Sequence, residues 1–221
     1  MTMLVIEAEN PVLAKSQKIH ANGMEAVAQG GLTLFNGYPK DFEMRYTVAG
    51  LFNKNRSDME TVQKSIDTIA TGCNLMLHLA GRDFPLHTTI GECVFPEGFN
   101  LWHAHGSPFS FEGQDNELVF SELVMDKSKV LLTASSIPDW FFNLRNEVNR
   151  AYTTLGFKAL PIENLLHISL ANIKSGSDQG IRAFAHSVCE WREAIKLQPI
   201  TLCMDQVFRG PSLNFLNSKI I

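Results

Sequence analysis

The chain has 221 residues, 45% of them apolar and 19% charged, which is enough for a sizeable core and argues against disorder. Lys and Arg number 19 against 23 Asp and Glu, a formal net charge of -4, so a broad basic face for extended duplex nucleic acid is not expected. Any nucleotide substrate is expected to be small or held in a local pocket.

Cys73, Cys93, Cys189 and Cys203 form no C-x-x-C pair and sit in apolar runs, as free thiols of a reducing compartment do. The opening MTMLVIEAEN lacks the charged and long apolar regions of a signal peptide, and no apolar run approaches the roughly 18 residues of a membrane span. These features point to a cytoplasmic protein with no membrane partner. Oligomeric state is not legible.

Residues 1–43 read as an N-terminal extension of mixed character, in which GLTLFNGYP (31–39) suggests a short strand ended by a turn. MRYTVAGLF (44–52) is rich in β-formers and predicts a strand. Ser57 and Asp58 offer caps for a helix running through METVQKSIDTIATGCNLMLHL. Its apolar residues Met59, Val62, Ile66, Ile69, Cys73, Met76 and Leu77 recur at helical spacing, and Gly81 ends it. FPLHTTIGECVF (84–95) predicts a strand. Residues 96–116 carry Gly, Pro and aromatics without a period, a long loop of the kind that usually serves function.

ELVFSELVM and KVLLTAS follow as two β-rich runs around a turn at Asp126–Ser128. Pro138 opens a helix, DWFFNLRNEVNRAYTTL, closed by Gly156. NLLHISLANI (164–173) is a strand, IRAFAHSVCEWREAI a helix, and ITLCMDQVF and SLNFLNSKII two strands joined by Arg-Gly-Pro. The order helix, histidine-bearing strand, paired β-rich runs occurs twice. One domain built from two lobes is expected, with first-lobe elements in 44–135 and second-lobe elements in 136–221.

Each lobe carries one motif. Leu86-His87-Thr88-Thr89-Ile90 and Leu166-His167-Ile168-Ser169-Leu170 both read apolar, His, any residue, hydroxyl, apolar, and they lie 80 residues apart. On a strand, side chains alternate faces. His87 therefore shares a face with Thr89, and His167 with Ser169, while the flanking residues turn to a core. Two such strands would bring two imidazoles and two hydroxyls to one cleft. A neutral imidazole can take a proton from an attacking water or hydroxyl, and a protonated one can give a proton to the leaving oxygen. The hydroxyls can donate to phosphate oxygens as charge develops there. This chemistry calls for no metal or other cofactor.

The paired H-x-[ST] motifs resemble those of the 2H phosphoesterase superfamily, which includes 2′-5′ RNA ligase-like proteins and cyclic phosphodiesterases. The resemblance covers about residues 44–221. It implies an α+β fold of two pseudo-symmetric lobes, with two antiparallel sheets flanked by helices around a central cleft. It implies His87 and His167 as acid and base, Thr89 and Ser169 as phosphate ligands, and hydrolysis of a cyclic or 2′-5′ linked nucleotide or oligonucleotide. Two other readings use the same cleft: a nucleotide-binding module with little turnover, and joining of RNA ends.

Other residues carry weaker signals. Trp102 is the candidate for stacking on a base, among Phe99, Phe109 and Phe111 of the same loop. Tyr46 is a second candidate substrate contact on the first strand, although a packed strand tyrosine is the commoner outcome. Arg82 and Arg209 could neutralise phosphate charge, against a default of surface solvation. His103 and His105 form an H-x-H pair, better read as part of the loop than as metal ligands.

Overall fold

Apolar residues with a period of two run through both motif segments, and each segment becomes an interior strand of a separate antiparallel sheet. A computed structural model describes residues 10–30, 34–38, 45–52, 57–95, 117–161, 164–195 and 197–212. The elements in chain order are α1 (Pro11–Gln29), β1 (Arg45–Phe52), α2 (Ser57–Gly72), β2 (Met76–Leu79), β3 (His87–Val94), β4 (Glu117–Phe120), β5 (Glu122–Asp126), β6 (Lys129–Thr133), α3 (Asp139–Thr154), β7 (Lys158–Ala159), β8 (His167–Ser175), α4 (Asp178–Ile195) and β9 (Ile200–Pro211). Among the described residues, one sheet has the order β4-β9-β1-β3-β7 and the other β2-β8-β6-β5. The neighbouring strands within each sheet pair antiparallel. The fold is α+β, and no described helix is long and apolar enough to cross a membrane.

The core lies beneath the motif strands. Leu86, Ile90, Leu166, Ile168 and Leu170 are at most 2% exposed. Each such side chain contributes roughly 1.5–3 kcal/mol by leaving water, before chain entropy is set against it.

Several segments differ from their sequence readings. The long helix through residue 79 ends at Gly72. Asn74 turns the chain with φ +56, and residues 76–79 form β2 against β8. Met76 and Leu77 suit either period, and pairing with β8 decides for the strand. ELVFSELVM breaks at Ser121, and its halves join different sheets. Arg209 and Gly210 do not make a turn but continue β9 as one strand against β1. Residues 34–38 form no strand. The sheets also cut across the halves at residue 135: β2, β5 and β6 join β8, while β7 and β9 join β1 and β3.

The N-terminal segment supplies α1. Asn10 caps it, its Oδ1 accepting from the N–H groups of Val12 and Leu13, and Gly30 ends it with φ +71. This helix covers the free edge of β5. His20 Nδ1 accepts the Met125 N–H at 3.1 Å, which leaves the ring proton on Nε2, facing Cys189 Sγ at 3.7 Å. Gly23 permits the approach, because a Cβ there would stand 2.1 Å from the Met125 carbonyl oxygen. An otherwise open strand edge is thereby closed.

Candidate active site

Both motif strands keep the expected alternation. Thr88 and Ile90 are wholly buried, as are Ile168 and Leu170, while His87, Thr89, His167 and Ser169 keep part of their surface accessible. The likeness extends to the backbone. In each motif the preceding leucine carbonyl accepts an N–H from the partner strand side, Phe52 to Leu86 at 3.0 Å and Ala134 to Leu166 at 2.9 Å. His87 stands opposite Leu51 and Thr89 opposite Ala49; the next pair is Gly91 with Val48. His167 stands opposite Thr133 and Ser169 opposite Leu131; the next pair is Ala171 with Val130. Both ladders thus skip one residue directly after the motif hydroxyl, which bends each strand at the same place.

β3 and β8 pack against each other across the two sheets, and a charge on His87 disfavours a charge on His167. Helix α3 joins them. Its buried stripe is Phe141, Arg145, Val148 and Tyr152. Gly91 lets the helix sit on β3, since a Cβ there would lie 2.5 Å from Val148 Cγ1. Arg145, 6% exposed, donates from one Nη2 to the carbonyls of Thr89 and Leu165, both at 3.1 Å. Its guanidinium also stacks over Phe141, 4.7 Å from the ring centroid. The sequence reading missed this residue. The signal was a charged side chain at a core-facing position, four after Phe141 and three before Val148.

The two imidazoles differ in surroundings. His87 Nδ1 lies 2.7 Å from the Pro85 carbonyl, which can only accept, so Nδ1 carries the proton. The Phe84 ring meets His87 edge-on, with centroids 6.2 Å apart, and Phe84 in turn stacks on His78. Burial pushes the His87 pKa down, and the Pro85 hydrogen bond opposes that shift. His167 Nδ1 is buried and has no hydrogen-bond partner among the described residues. Burial, followed by the nearby charges of Arg145, His87 and Lys129, pushes its pKa down to about 4.

The remaining candidates lie elsewhere. Tyr46 is opposite Cys93, about 10 Å along β1 from the position facing Thr89, and packs edge-on against Tyr152. Arg82 is engaged by Asp83, Asp67 and the Leu77 carbonyl. Arg209 sits within β9 opposite Val48, near the hydroxyls of Tyr46 and Tyr152. Trp102, with the rest of loop 96–116 and its His103 and His105, lies outside the described residues. Among the described residues, no cluster of three His, Cys, Asp or Glu could hold a metal ion.

No family model and no curated protein matches the chain. Among solved structures it is similar to that of Kluyveromyces marxianus Usb1, at 10% identity and a TM-score of 0.37, over 76% of this chain and 98% of that one. A likeness of this size leaves the function to be argued from the site.

Proposed function

We propose that this chain is a phosphodiesterase acting on a cyclic or 2′-5′ linked nucleotide or short oligonucleotide, with His87 and His167 as its acid–base pair. The observation that supports this is the duplicated strand: imidazole, hydroxyl and ladder break recur in the same order on β3 and β8. The motif resemblance to 2H phosphoesterases points the same way. In this reading one ring takes a proton from the nucleophile while the other protonates the leaving oxygen. Thr89 and Ser169 donate to the non-bridging oxygens, where charge grows in the transition state.

The test is turnover, with EDTA present, of 2′,3′-cyclic mononucleotides, 2′-5′ oligoadenylate and cyclic di- and trinucleotides. At least one should be cleaved, and His87→Ala and His167→Ala should each lower its rate by roughly 10²–10⁴-fold. Activity surviving both substitutions would overturn the assignment.

One observation favours a second reading. Both imidazoles have lowered pKa values, so neither is readily charged in the free protein at neutral pH. A cleft of this kind suits a module that holds an anionic nucleotide and turns it over slowly. Calorimetric binding without cleavage of any panel member would support it.

A further inference from the structure

Arg145 lies in the apolar stripe of α3, where a guanidinium is costly to keep. Burial lowers its pKa to about 10, which still leaves it charged at neutral pH. Among the described residues no carboxylate pairs with it, and its partners are the two carbonyls and the Phe141 face. Those carbonyls belong to β3 and to the segment entering β8, so one nitrogen joins the two motifs across sheets that share no ladder there.

The same cation breaks the symmetry of the motifs. Among the described residues, the charged or titratable groups whose field acts on His167 are Arg145 from α3, His87 from β3 and Lys129 from β6, all positive or able to become so. Among the described residues, His167 Nδ1 also lacks an acceptor that would stabilise a charged ring. His87 has such an acceptor in the Pro85 carbonyl. We propose that Arg145 is a positioning residue that ties the two motif strands together and makes His167 the proton acceptor and His87 the proton donor. This rests on the phosphodiesterase reading. In the step it describes, water attacks phosphorus and gives its proton to His167. The bond from phosphorus to the leaving oxygen breaks, and that oxygen takes the proton from charged His87. Solvent then returns a proton from His167 to His87. Water and a phosphodiester become a phosphomonoester and an alcohol.

The test is a histidine NMR titration of the full chain, wild type against Arg145→Gln and Arg145→Lys, with single His→Gln variants for assignment. In the wild type His167 should titrate at lower pH than His87. Arg145→Gln should raise the His167 midpoint by about one pH unit and leave His87 in place. Arg145→Lys should restore it. Turnover should follow: the acidic limb of the pH–rate profile moves up in Arg145→Gln while the alkaline limb stays. His167 titrating at or above His87 in the wild type would overturn the proposal, even if Arg145→Gln does not fold. So would an unmoved His167 midpoint in a folded Arg145→Gln. The titration needs no substrate, so its outcome is separate from that of the turnover panel. The expected midpoints with no cleavage would count against the phosphodiesterase reading alone.

Discussion

Ile90 and Leu170 stand at the same place in two different sheets. Each follows the hydroxyl of its motif, each is wholly buried, and each is the residue at which the ladder to the partner strand skips. The break turns the rest of the strand while leaving imidazole and hydroxyl side by side before it. Shared alternation alone would follow from any two amphipathic strands. A shared break is a more specific likeness, and it sets the geometry that the following predictions probe.

Thr89→Val and Ser169→Ala remove one donor each with little change in volume. Each should lower kcat by roughly 10²-fold with KM nearly unchanged, since the bond strengthens only as charge develops. Urea unfolding should move by less than about 1 kcal/mol. Unchanged kcat in both variants would remove the hydroxyls from the mechanism.

Gly91→Ala places a methyl 2.5 Å from Val148 Cγ1 and 3.4 Å from the Tyr152 ring. Helix α3 must lift from β3, at a cost of about 1–3 kcal/mol in urea unfolding. Because Arg145 rides on α3, turnover should fall as well. Val148→Ala in the same background should recover part of both losses.

Gly23→Ala puts a methyl 2.1 Å from the Met125 carbonyl oxygen and separates α1 from β5. The uncovered strand edge can then pair with another chain. Loss of stability together with concentration-dependent association, followed by light scattering, is the expected result. A stable, non-associating variant would show that α1 does not guard that edge.

The pH dependence of stability has a definite sign. The His167 pKa is about 4 in the folded chain against 6.5 for a solvated imidazole, and that of His87 is lowered too. Unfolding at intermediate pH therefore takes up protons. Stability from His167 is complete above about pH 6.5 and is lost as pH falls toward 4, on the order of 3 kcal/mol, and His87 adds to the loss in the same direction. Urea midpoints measured from pH 7.5 to 4 should show that decline, and His167→Gln should flatten it.

The local arrangement of the candidate site was legible in the sequence. The face shared by His87 with Thr89, and by His167 with Ser169, follows from strand periodicity, and the buried Leu86, Ile90, Ile168 and Leu170 keep to it. Longer-range readings fared less well. The apolar spacing through Met76 and Leu77 fits a helix until β8 is there to pair with β2. Nothing local in ELVFSELVM tells that Ser121 divides two sheets. The sequence reading left residues 1–43 as an extension of mixed character and missed α1, which Asn10 and Gly30 cap, and its use as an edge cover depends on Met125, more than a hundred residues away.

What the sequence determined by itself was the local chemistry: two strands, each with one apolar face and one face offering an imidazole and a hydroxyl. A period of two is a property of the extended backbone and needs no partner. The tertiary structure decided which strands are neighbours, how the halves exchange strands between sheets, and how far the two histidines differ. Arg145 reaches Thr89 across 56 residues and Leu165 across 20. Its charge bears on His167 only because α3 packs over β3. Protonation follows burial and nearby charge, and both are set by packing between distant segments.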